Sequence, residues 1–193
     1  MAEEAKVKLL PSLERNILKL RALQMSLVLF HVEHLKRFVI GSLQETDKVL
    51  GTNRLPQGKK LLERAWKIVV EEGILTAEEA QQIQDLIGYR NDIAHEFHVM
   101  TVDLSHQEFA RSAVSIEGQR YDYFALNRVR RISKKVSEGF QKKFVMLVGL
   151  DHAMFADQEH ALDHELKLLA RRIDTQYAKR KREAEERKLK TNQ

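Results

Sequence analysis

Proline occurs only at positions 11 and 56, so residues 57–193 contain none. Proline removes a backbone donor and clashes with the preceding turn, and a chain this poor in it has few places where a helix must stop. Glycine adds only eight further positions in 193 residues. Sandwiches and barrels need turn residues at much shorter intervals, so long helices are the expected element. Leu13, Ile17, Leu20, Gln24, Leu27, His31, His34 and Phe38 recur at steps of three and four. That spacing puts them on one stripe of a long helix starting near Ser12.

The remaining segments fit an all-α bundle of about five or six helices. Gly41 is expected to end or bend the first helix, with Ser42-Leu-Gln-Glu45 as a capping box that restarts it as far as Leu50. Gly51 to Gly58 reads as a loop. A second helix is expected over Lys59 to Glu72, with Leu62, Ala65, Trp66 and Val69 inward and Gly73 as its stop. Thr76-Ala-Glu-Glu79 is a capping box opening a third helix through at least Ala94. Ser105 to Glu108 resembles another. Val114 to Phe124 alternates weakly around Gly118, consistent with a small hairpin or an irregular crossover. Val129, Ile132, Val136, Phe140, Phe144 and Leu147 mark a helix with a potential break at Gly139. Phe155, Leu162, Leu166, Leu169 and Ile173 mark a long, polar final helix. One domain is expected over residues 1–178, followed by a charged tail over 179–193 whose tip is open to disorder.

Composition excludes several function classes. The absence of cysteine rules out a disulfide scaffold, a thiolate zinc site and a thiol nucleophile. No glycine-rich phosphate loop follows a strand-like run, which removes nucleotide-binding folds of that kind. Met1 to Lys8 is charged throughout, unlike a secretory signal, and the longest apolar runs are too short to span a bilayer. A soluble cytoplasmic protein is the expectation. His160 and His164 have the spacing of a helical metal pair, but no glutamate follows the first, and both lie opposite the apolar stripe. Neither a metal nor a cofactor is expected. His31 and His34 lie within the first helix's stripe, as core or interface histidines with satisfied nitrogens or as part of a cleft.

The charge is uneven. Residues 126–144 hold seven bases against one acid, and residues 179–190 hold seven against three, within a total of +5. Two basic segments on an otherwise acidic chain fit a polyanionic partner or, equally, solvated helix faces. Arg128, Arg131 and Lys135 recur at i, i+3 and i+7, forming a positive ridge able to guide RNA without reading its sequence.

The most informative anomaly is an arginine in an apolar stripe. Ile83, Leu86, Ile87, Ile93, Ala94 and Phe97 share one helix face, and Arg90 falls in its middle. A buried guanidinium without partners is costly. Arg90 therefore either pairs with an acid such as Asp85 or Asp92, or faces a cleft. Asn91 and His95 are four apart and share the adjacent flank, with His98 three further on. A guanidinium that holds phosphate oxygens, beside an imidazole that titrates near neutrality, suits phosphoryl transfer to an internal nucleophile.

The run Arg90-Asn91-Asp92-Ile93-Ala94-His95, late in an amphipathic helix of an all-helical chain, resembles the signature of the HEPN superfamily, the higher eukaryote and prokaryote nucleotide-binding helical domains. The resemblance covers roughly Thr76 to His98, with Leu13 to Ile40 as the long partner helix. It implies a metal-independent endoribonuclease, acting as a toxin or anti-phage defence component, in which Arg90 and His95 are the catalytic pair and Asn91 assists. The ribose 2′-hydroxyl attacks, and a 2′,3′-cyclic phosphate is the product. The resemblance also implies a homodimer with paired sites and a cognate antitoxin or defence partner. Members modified by a nucleotidyltransferase antitoxin carry a tyrosine two positions after the histidine. Phe97 stands there in this chain, so restraint by that route is not expected. The competing expectation is a non-catalytic helical regulator or defence-complex subunit, similar to the mannitol-repressor-like proteins, in which Arg90 and His95 organise an interface.

Overall fold

The computed structural model describes residues 11–95, 100, 121–146 and 150–191; for residues 90, 92–95, 150–154 and 191 it describes the backbone alone. The expected features over 105–108 and 114–120, together with Phe97 and His98, lie outside the described residues. The chain is all-α, with no strand among the described residues. The helices are α1 (Ser12–Leu50), α2 (Leu61–Glu71), α3 (Ala77–His95), α4 (Ala125–Lys143) and α5 (Leu150–Thr191). No helix among the described residues is long and apolar enough to cross a membrane.

Helix α1 is the axis of the bundle and packs against each of the other four. It is one unbroken helix of 39 residues, so Gly41 does not end it. The expected restart at Ser42 does not occur, and Glu45 pairs with Lys48 at 2.9 Å. Magnitudes explain this outcome. A glycine within a helix costs about 0.5–1 kcal/mol relative to alanine. Val39 and Leu43, on either side of Gly41, are both buried, and each such burial contributes about 1.5–3 kcal/mol. Continuity across Gly41 outweighs its local cost. Gly51, at φ 66°, ends the helix in the left-handed region. Asp47 then organises the loop, accepting from Thr52 Oγ1 at 2.6 Å and from the Leu55 amide at 2.8 Å.

The deepest part of the core joins Val28, Val32, Leu35 and Val39 of α1 to Trp66 and Val69 of α2, Ile83 and Leu86 of α3, and Val129, Ile132, Val136 and Phe140 of α4. Of the expected α1 stripe, Leu13, Leu27 and His31 are buried, whereas Ile17, Leu20, Gln24, His34 and Phe38 are only half-buried. The buried face is broader because α1 is surrounded by four helices rather than seated on one. Helix α4 also runs through its potential break. A Cβ on Gly139 would come within 2.5 Å of Ile74 Cγ2, so the glycine admits close packing and does not end the helix. The helix stops at Lys143, short of the expected Leu147, where Phe144 turns extended and the Val145 amide donates to Thr46 Oγ1 at 2.9 Å.

Helix α5 lies antiparallel along α1. Glu159 meets His31, Gln176 meets Asn16 at 2.9 Å, and Arg180 meets the buried Glu14 at 2.6 Å. The charged 179–193 segment is helical as far as Thr191. The Arg180–Glu14 pair ties its first turn to the bundle. Alanine, glutamate, lysine and arginine, all strong helix formers, dominate the remaining turns.

Candidate functional site

Helix α3 begins as its sequence dictates. The Thr76 amide donates to Glu79 Oε2 at 2.9 Å, and the Glu79 amide donates to Thr76 Oγ1 at 3.1 Å. This is a complete reciprocal capping box. The helix then runs unbroken to His95, so its last two turns contain Arg90, Asn91 and His95. On regular helical geometry Arg90 and His95 are separated by about 7.5 Å along the axis and about 140° around it. Asn91 is exposed. The side chains of Arg90 and His95 lie outside the described residues. Of the two acids expected to hold Arg90, Asp85 accepts from Gln81 at 2.9 Å, and the Asp92 side chain lies outside the described residues.

The motif's surroundings are defined by Tyr89. Its hydroxyl accepts from the Asp122 amide at 2.8 Å, fastening the end of α3 to the start of α4. Burial pushes the Tyr89 hydroxyl above its ordinary value, and that of Tyr121 further still. Beside them lies a buried arginine that sequence reasoning missed. Arg21 of α1 is 2% exposed. It donates through Nη1 to the Met100 carbonyl at 2.8 Å and through Nε to Tyr123 Oη at 2.8 Å. Its guanidinium also lies 5.0 Å from the Tyr121 ring centroid and 5.1 Å from that of Tyr123. Carbonyl, hydroxyl and ring faces each help to compensate the charge and make its burial more tolerable. The signal was not local, because Met100 and Tyr123 are 79 and 102 positions away in sequence.

The structure brings the expected basic ridge alongside α3, where each member has a partner in the chain. Lys135 meets Glu79 at 2.6 Å, Arg131 donates to Gln82 Oε1 at 3.0 Å, and Arg128 pairs with Asp122. The Lys135 ammonium is the main reason that the Glu79 carboxyl lies below its ordinary range. Three cations against two carboxylates leave a local surplus of one positive charge, less than the sequence alone suggests.

His31 and His34 do not sit in a plain core. His31 is buried, with Nε2 2.9 Å from Glu159 Oε1. Burial holds its imidazole below the ordinary value, and the neighbouring Glu159 carboxylate only partly opposes that. His34 stacks on Phe155 with centroids 4.3 Å apart. His160 and His164 are exposed on α5, as expected from their distance from the apolar stripe. Among the described residues no three histidine, aspartate or glutamate side chains cluster at metal-binding distance. No protein-family model, curated protein or solved structure matches this chain.

Proposed function

We propose that this chain is a metal-independent endoribonuclease of the HEPN type, acting in the cytoplasm as a toxin or anti-phage defence component. One observation carries the reading. The Arg90-Asn91-x3-His95 pattern occupies the closing turns of a continuous helix, packed on a long central helix in an all-α bundle, with Asn91 exposed. Arg90 opposes the charge that builds on the scissile phosphate. His95 moves a proton to or from the reacting oxygens, and the ribose 2′-hydroxyl is the nucleophile. Cyclising transesterification needs one proton taken and one given, while the motif supplies one imidazole per chain. A homodimer that juxtaposes two motifs about a two-fold axis meets that need. Arg128, Arg131 and Lys135 run beside α3 and guide the RNA backbone by exchanging carboxylate or amide for phosphate. Exposed ion pairs are worth only about 0–1 kcal/mol, so the exchange costs little. An antitoxin or defence partner restrains the activity.

The test is cleavage of RNA in chelator, by wild type and by His95→Ala, with a second substrate carrying 2′-deoxy at the cut site. Wild type is expected to cut RNA and to spare the deoxy substrate. His95→Ala is expected to lose about 10²–10⁴ in rate. Cutting of the deoxy substrate at the RNA rate, or loss of cleavage in chelator, defeats the mechanism. A wild type that cuts no RNA favours the non-catalytic helical regulator. The internal pairing of the basic ridge is the observation on that side. A monomer at micromolar concentration in sedimentation counts against the paired site.

A further inference from the structure

The opposite flank of α4 faces a different space. Between α1, α4 and α5 lies a cleft of about 360 Å³, within the range of small-molecule sites. The Arg90–His95 segment belongs to α3, which contributes none of the cleft's lining residues among those described.

One wall of the cleft is aromatic. The Phe155 and His34 rings stack at 4.3 Å with 10° between their planes, and His34 lies 6.5 Å from Phe38 at 12°. The far end is polar but electrically closed. Glu159 Oε1 faces His31 at 2.9 Å and accepts from Arg130 Nε at 3.0 Å. The other arm of Arg130 goes to Asp163 at 3.0 Å. Carboxylate and guanidinium there are spent on one another.

Two groups are open to a ligand. Lys134 lines the cleft, is 79% exposed, and has an i, i+4 ion pair with Glu138 at 3.9 Å, an exposed pair that an incoming anion replaces at little cost. Ser133 Oγ is buried and has no hydrogen-bond partner among the described residues. A buried hydroxyl in that state needs an explanation, and an unmet acceptor is a direct one.

We propose that this cleft binds a small aromatic anion, a planar ring bearing one acidic group. The ring lies along the Phe155–His34–Phe38 wall and the acidic group is directed towards Lys134. The Ser133 hydroxyl, turned about χ1, donates to the ligand. An anion without a ring leaves the aromatic wall wet, and a ring without a charge leaves Lys134 with only its exposed pair to Glu138.

The test is titration of the full-length protein with 2-naphthoate by calorimetry, with 2-naphthalenemethanol as the uncharged ring and cyclohexanecarboxylate as the anion without one. Naphthoate is expected to bind at least tenfold more tightly than either control. Ser137 lines the same cleft and is exposed, so Ser137→Trp fills the space without burdening the core. It is expected to abolish binding while the helical spectrum and Tm stay at wild-type values. Lys134→Glu is expected to weaken binding at least tenfold. Failure of the wild type to bind naphthoate up to 5 mM overturns the proposal. So does binding undiminished in Ser137→Trp, or naphthalenemethanol binding as tightly as naphthoate.

Discussion

Helix α4 carries similar chemistry on two flanks and uses it in opposite ways. On the α3 side, Arg128, Arg131 and Lys135 are drawn onto Asp122, Gln82 and Glu79, and Gly139 lets Ile74 press against the helix backbone. On the α5 side, Arg130 is matched by Glu159 and Asp163, while Lys134 extends into solvent and Ser133 keeps an unmet hydroxyl beside a cleft. The core stripe of Val129, Ile132, Val136 and Phe140 separates the flanks. A cation count along α4 cannot tell them apart. What distinguishes them is the neighbour: the capped start of α3 on one side, and on the other α5, which brings an aromatic ring to the wall as well as the Glu159 and Asp163 carboxylates.

The sharpest way to break this contrast is at the close contact. Gly139→Ala drives a Cβ into the buried, β-branched Ile74. Overpacking of this kind costs about 1–3 kcal/mol, of which alanine's advantage over glycine within a helix returns about 0.5–1, leaving a net loss of up to about 2 kcal/mol. Denaturant unfolding should show that loss with an unchanged m-value, and wild-type stability would mean that the flank is looser than described. On the cleft side, Ser133→Ala should instead be neutral or stabilising by up to about 1 kcal/mol, since it removes a buried hydroxyl that has no partner. A clear destabilisation would reveal a partner for that oxygen and blur the difference between the flanks.

The His31–Glu159 contact responds to pH. Burial lowers the folded-state value of His31 below its ordinary 6.5, while Glu159 and Arg130 face it from α5 and α4. The unfolded chain therefore takes up the proton first. The contribution of neutral His31 is fully present above about pH 6.5 and is lost as pH falls from there through the folded value. Tm between pH 8 and pH 5 should decline on the acid side, and the decline should shrink in His31→Gln. An equal decline in both proteins would assign the effect to other groups.

The smallest expected effect is at Lys135. Lys135→Ala should cost under about 1 kcal/mol, because its pair with Glu79 is exposed. If RNA follows this ridge, the same change should reduce the slope of log affinity against log salt by roughly one. An unchanged slope would remove Lys135 from the RNA path.

Periodicity and capping were decisive where the forces are local. The absence of proline between residues 57 and 193 favoured long helices. The Thr76–Glu79 box formed as spaced, because both hydrogen bonds join groups three residues apart. The 3.6-residue repeat likewise identified the α4 stripe, since four apolar residues on one face have a single way to leave water. The Arg90–Asn91–His95 spacing was legible in the same way, as residues on the closing turns of one helix.

Long-range pairing decided the rest. Burial at Val39 and Leu43 carried α1 through Gly41 against the local signal. Arg21 became the buried arginine because Met100, Tyr121 and Tyr123 converge on it. The basic ridge acquired carboxylate partners 56 and 6 positions away at Lys135 and Arg128, so its surplus charge is smaller than its residue count. The cleft is the clearest case. Its walls come from three helices, and its chemistry depends on which groups they leave unmatched. A sequence supplies every donor, charge and ring, and hydrogen bonds and ion pairs act over a few ångströms. Only the packing of α1, α4 and α5 determines which of those groups are satisfied and which remain to meet a ligand.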